Sequence, residues 1–96
     1  MKTLDITEVK GAKANISDLK VFGNGDLFQL ICKASSQEQG WMKSTKAMEL
    51  PGGGGCVVQV TTQQRNPDGS YAVAEAITYV PHVTIRTDEN QNKYLG

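Results

Sequence analysis

The four residues Asn66-Pro67-Asp68-Gly69 constrain this chain more than any others. Pro presets φ at the second position of a type I turn, and the Gly after it takes the left-handed conformation that forms a bulge. Such a turn joins two antiparallel strands, with Asn66 facing Ser70. Carried outward, the register pairs Val60 with Ala76, Val58 with Thr78 and Cys56 with Val80 on one face. On the other face Val57 meets Tyr79, Gln59 meets Ile77, Thr61 meets Glu75 and Gln63 meets Val73. Ala72, Ala74 and Ala76 are small enough to let a second layer approach, so the Cys56 face is expected to point inward.

A second turn signal, Phe22-Gly23-Asn24-Gly25-Asp26, centres on Asn-Gly, a pair that tolerates the positive φ a two-residue hairpin needs. It predicts Val21 opposite Phe28, Leu19 opposite Leu30 and Ser17 opposite Cys32, with Leu19, Val21, Phe28, Leu30 and Cys32 on a core face. Residues 3–9 alternate Leu4 and Ile6 with Asp5 and Thr7, a short strand pattern. Over residues 41–50 helical and strand periods compete. Helix propensity favours the first, but Gln37-Glu38-Gln39-Gly40 just before them can close a hairpin from residues 27–36, and strand is preferred. Pro51 ends that segment. Residues 52–55, all Gly, are expected to form a flexible connection, Val83, Thr84 and Ile85 a last short strand, and residues 88–93 a frayed polar tail. Short strands at close turn spacing without a long helix predict an all-β domain. The simplest packing is a small antiparallel barrel or sandwich of about five to six strands built from two hairpins, one domain over 1–96 with a frayed tail from about 87.

Charge narrows the partners. Ten Lys plus Arg balance ten Asp plus Glu, which disfavours a general nucleic-acid coat or a membrane-surface binder, since both work by long-range attraction. No run approaches the roughly 18 apolar residues of a membrane span, and Met1-Lys2-Thr3-Leu4-Asp5 does not resemble a signal peptide. A cytoplasmic location without a membrane partner is expected.

Cys32 and Cys56 each fall on a predicted inward face and belong to no Cys-x-x-Cys pair, so both read as small buried hydrophobes. His82 is the one His. A Cys-His nucleophile needs the base within hydrogen-bond reach of the sulfur and zinc needs three or four ligands, and Cys56 with His82 is the sole candidate dyad. Pro51-Gly52-Gly53-Gly54-Gly55-Cys56 lacks the Lys followed by Ser or Thr of a nucleotide loop. Asp88, Asn90 and Asn92 copy the opening of a calcium loop, but Lys93 stands where the motif wants Gly. Glu75 has no acidic partner in its hairpin and reads as solvated. No cofactor, metal or small-molecule substrate is expected, and an enzyme is the last-ranked reading.

Two surfaces remain. Residues 33–46 bring Lys33, Lys43 and Lys46 together with Trp41. With Arg65 and Tyr71 these could form the basic, ring-lined groove that holds single-stranded nucleic acid on small barrels; the simpler reading has Trp41 capping the core and the lysines protecting an edge strand. Tyr71, Val73, Ile77 and Tyr79 form an apolar stripe on the outer face of the second hairpin, an interface if exposed. The block Gly40-Trp41-Met42-Lys43-Ser44-Thr45-Lys46-Ala47-Met48-Glu49-Leu50, followed by Gly55-Cys56-Val57-Val58-Gln59-Val60-Thr61-Thr62-Gln63-Gln64, resembles segments of small accessory proteins of tailed bacteriophages and prophages. The resemblance runs over residues 40–85. It implies a host-cell setting and binding to a host or phage macromolecule, and it transfers no activity and no site residue. The leading expectation is therefore a non-enzymatic module that binds a protein, or another copy of itself, through an exposed β surface. Single-stranded nucleic-acid binding is the alternative, and a minor structural part of a virion is the third.

Overall fold

The computed structural model describes residues 8–13 and 15–96. A short helix α1 (Val9–Lys13) precedes strands β1 (Gln29–Ser36), β2 (Trp41–Glu49), β3 (Cys56–Arg65), β4 (Tyr71–Val80), β5 (Ile85–Thr87) and β6 (Lys93–Leu95). The first four strands form one antiparallel sheet in the order β1-β2-β3-β4, and β5 and β6 form a separate two-stranded sheet. The fold is thus mostly β, as expected, but the barrel or sandwich gives way to an open sheet with a small hairpin on it. The reason is connectivity: each large strand pairs with the next in sequence, and β1 and β4 do not meet to close the sheet.

The β3–β4 register is the one the turn dictates, from Cys56 opposite Val80 to Arg65 opposite Tyr71. Asn66 N–H donates to the Ser70 carbonyl at 2.7 Å, Gly69 N–H donates to the Asn66 carbonyl at 3.0 Å, and Gly69 has φ +86°. Asp68 accepts hydrogen bonds from the Ser70 hydroxyl at 2.6 Å and the Ser70 N–H at 2.9 Å, which hold its carboxyl below the usual range. Pairing with β1 and β3 on its two sides resolves the competition in β2 in favour of strand, an instance of sheet context overriding helix propensity. Gly40 N–H closes the β1–β2 loop on the Ser36 carbonyl at 2.8 Å.

The Asn24-Gly25 hairpin does not form. Asn24 turns its side-chain oxygen to the Asp26 N–H at 3.0 Å, and Asp26 in turn accepts from the N–H groups of Val9 and Lys10, capping α1. Of the residues around that turn only Gly23 has positive φ, whereas a two-residue hairpin needs it at both central positions. Leu30 and Cys32 face Lys46 and Thr45 of β2 instead, on either side of a bulge. The strand expected over residues 3–9 lies largely outside the described residues, and Val9 opens α1. Residues 52–55 are not a loose connector: a 3-10 turn spans Pro51–Gly53, and Leu50 N–H donates to the Gly55 carbonyl at 2.9 Å. The expected tail is the β5–β6 hairpin. Its turn is held by Asp88, whose carboxylate accepts from the Asn90 and Asn92 N–H groups at 2.9 Å each.

That hairpin makes the core. Val83, Ile85 and Leu95 pack with Ile31 and Val80 against Ala47, Cys56 and Val58. Glu49 fixes it by accepting the Ile85 N–H at 2.7 Å, and Lys93 reaches Gln29 at 2.6 Å. With three residues per strand it covers one end of the sheet only. The Cys56 face is therefore inward at that end, while farther along β3 Val60 is 40% exposed and the buried residues, Thr61 and Gln63 with Met42 and Ser44 of β2, lie on the opposite face.

Candidate functional site

Among the described residues strand β4 has one neighbour, β3. In an antiparallel ladder, pairs alternate between exchanging backbone hydrogen bonds and not doing so. Asn66 with Ser70 is a bonded pair, and the Arg65 N–H turns the other way, to the Gly40 carbonyl at 2.6 Å. Counting on from there, the backbone groups of Tyr71, Val73, Glu75, Ile77 and Tyr79 point away from β3, towards the open edge. These are the residues whose side chains share one face. Edge hydrogen-bonding groups and the apolar stripe therefore belong to the same five positions.

The stripe is exposed: Val73 by 47%, Ile77 by 65% and Tyr79 by 53%, with Tyr71 half-buried. Glu75 interrupts it in the middle, but its carboxylate is drawn back over the sheet, where Thr61 donates to it at 3.3 Å and Gln59 at 3.5 Å. The Tyr79 hydroxyl likewise reaches back to the Gly54 carbonyl. Both polar tips are thus bound within the domain, leaving the strand edge clear. Alternation predicts the four stripe side chains on one face, as the register has them, and Glu75, which reads as solvated in the sequence, is held by the Thr61 opposite it.

The basic and aromatic residues divide. Trp41, Arg65 and Tyr71 line a cleft of about 380 Å3 with Ser35, Gln37 and Gln63, at the end of the sheet remote from the hairpin. Arg65 donates to the Glu38 carbonyl at 3.2 Å, and Trp41 to Gln39 at 3.4 Å. Register places Lys33 and Lys46 on the Tyr71 face, opposite Ser44 and Leu30, but Lys43 on the other face, opposite Ala34 and Thr62. The structure brings together three of the proposed groove residues and leaves the three lysines outside that cleft.

The cysteines also part company. Cys32 is exposed, against the expectation that it faces inward, because the bulge and the short β5–β6 cover leave its part of the sheet open. Cys56 is buried and its thiol meets the Val83 carbonyl at 3.5 Å. Burial, and secondarily the Glu49 carboxylate, push its pKa up. A thiol held protonated is a poor nucleophile, and His82 is exposed. An aromatic disulfide reagent should therefore titrate one thiol per chain at once in the folded protein and the second only after denaturation. Two thiols reacting at equal rates under native conditions would contradict the packing of Cys56. Among the described residues no three His, Cys, Asp or Glu stand together as a metal site, and no helix is long and apolar enough to cross a membrane.

The sequence matches the Lockin family over residues 1–95, and the chain belongs to that family. No curated protein and no solved structure matches it.

Proposed function

We propose that this member of the Lockin family is a non-enzymatic protein-binding module that takes its partner on strand β4, through the open backbone edge and the apolar stripe together. The observation that carries this reading is a lightly guarded edge, whose one charge, Glu75, is drawn back towards β3. Soluble proteins blunt edge strands with Lys, Pro, a bulge or short length, because an open edge templates pairing with other chains. The opposite edge, β1, has such guards: a bulge between Leu30 and Cys32, and Lys33. β4 runs ten residues in unbroken register with no Lys and no Pro. In strand addition the main chain supplies affinity and alternate side chains supply specificity, and β4 offers both from the same five residues. The separation of Lys43 from Lys33 and Lys46 favours this reading over a nucleic-acid groove. The setting, an accessory protein acting on a host or phage macromolecule, rests on the resemblance of residues 40–85.

A photo-crosslinking residue at Ile77, introduced into the chain in its host cell, should yield a discrete protein adduct. The same probe at Asp18, exposed and outside the sheet, should not. Equal labelling from both positions, or none from Ile77, would overturn the reading.

A further inference from the structure

We infer that the occupant of the β4 edge is a second copy of the same chain, paired antiparallel, β4 to β4, about a two-fold axis at Glu75. This rests on the reading of β4 as a binding edge. A two-fold interface must be self-complementary: if residue i meets residue j, then j meets i. The strand Tyr71-Ala72-Val73-Ala74-Glu75-Ala76-Ile77-Thr78-Tyr79 has that symmetry in its sequence. Read outward from Glu75, Ala74 matches Ala76, Val73 matches Ile77, Ala72 sits against Thr78 and Tyr71 matches Tyr79. In this register every apolar residue of the stripe faces an apolar residue of the second copy, on the same face of a continuous sheet. The outward-pointing backbone groups fall on the same odd-numbered positions, so each stripe residue lies in a hydrogen-bonded pair. Even-numbered residues of the other face are Ala72, Ala74, Ala76 and Thr78, small enough to raise no barrier where the two strands meet.

The edge is accessible: Val73, Ile77 and Tyr79 are exposed on one face, and Ala72, Ala74, Ala76 and Thr78 are exposed on the other. The product, an eight-stranded sheet, is of ordinary size. One element opposes pairing. Glu75 faces its own copy on the axis, and like charges directly opposite are unfavourable. Its hydrogen bonds to Thr61 and Gln59 hold the carboxylate back towards β3, which lessens the repulsion without removing it.

Sedimentation of the full chain across the micromolar range should show a reversible dimer. Ile77→Lys should weaken it at least about tenfold, by placing an edge charge in the stripe. Glu75→Gln should tighten it by roughly two- to fivefold, by removing the facing charges. Ile77 is exposed, and unchanged circular dichroism will separate loss of pairing from loss of fold. In a Cys32→Ser background, Glu75→Cys should oxidise to a disulfide-linked dimer, since residues of a bonded antiparallel pair stand about 5.5 Å apart at Cα. Ala72→Cys, six residues out of register with its own copy, should not. A chain that stays monomeric at the highest concentration, or links equally well through positions 72 and 75, overturns the inference. A monomer that still gives an Ile77 adduct with a different protein overturns self-pairing alone; a monomer without any adduct overturns the binding-edge reading as well.

Discussion

Gly55→Ala is expected to destabilise the domain by about 3–5 kcal/mol, combining a backbone conformation that L residues resist with a clash that cannot relax cheaply. Gly55 has φ +99°, and a Cβ there would stand 2.4 Å from the Val80 carbonyl oxygen and 2.9 Å from the Pro81 Cα. All of these are backbone atoms, at the point where β3 starts and β4 ends, so room can come only from parting the two strands. That junction lies beside the buried Cys56 and holds one wall of the core. For a domain of this size each kcal/mol lowers the midpoint by roughly 4–8 °C, so a fall of some 12 °C or more is expected in a thermal melt. Gly53→Ala is the internal control. It also has positive φ, +71°, but nothing lies within 4 Å of the added carbon, and the cost should stay near 1–2 kcal/mol. Equal melting temperatures for the two variants would show that the close approach at Gly55 is not a constraint.

The same junction shows what could be read from the sequence. The β3–β4 pairing was legible to the residue because one turn sets it and everything follows by counting: Pro67 fixes φ, Gly69 takes the bulge, and alternation does the rest. The Tyr71, Val73, Ile77 and Tyr79 stripe was legible for the same reason. The Asn24-Gly25 turn carried an equally strong local signal and failed, because Asp26 found partners at Val9 and Lys10, far back in the chain, and tertiary contacts outweighed a local preference. No local pattern reveals that. The β5–β6 hairpin was illegible for a different reason. Its strands have three residues each, too few to show alternation, and its turn of Asp, Glu, Asn and Gln reads as solvated tail until Asp88 is seen gathering the N–H groups of Asn90 and Asn92.

The candidate site divides along the same line. Where residues share a strand, sequence order implies their arrangement in space. Lys43 and Lys46 share β2 and fall on opposite faces by alternation alone; where residues sit on different strands, as Lys33 does relative to these two, the outcome depends on the β1–β2 register, including the bulge that shifts it between Leu30 and Cys32. Counting residues cannot place that bulge. The near-palindrome about Glu75 is visible in the sequence, yet it acquires meaning only once β4 is known to be an edge, since in an interior strand both sides are already paired.

Ile85→Asp is expected to release the β5–β6 hairpin from the sheet and to cost 3 kcal/mol or more. Ile85 is partly buried, so transfer of its side chain accounts for about 1–2 kcal/mol, and a carboxylate brought against Ala47, Cys56 and Val58 adds the penalty of an unpaired charge in apolar surroundings. Glu49, which accepts the Ile85 N–H at 2.7 Å, would then face a second negative group close by. The consequence reaches beyond the hairpin, because among the described residues the packing on Ala47, Cys56 and Val58 comes in large part from Val83, Ile85 and Leu95. Without them one end of the sheet is bare on the face that holds the core. Ile85→Val, which removes one methylene and keeps the contact, should cost only about 0.5–1.5 kcal/mol. The Cys56 thiol supplies a local readout that global unfolding does not: in Ile85→Asp it should react with a thiol reagent under conditions where circular dichroism still reports strand, whereas in Ile85→Val it should stay protected. If Cys56 remained protected in Ile85→Asp, the core would have to be covered by something other than this hairpin, and the account of how so short a chain buries an apolar centre would fail.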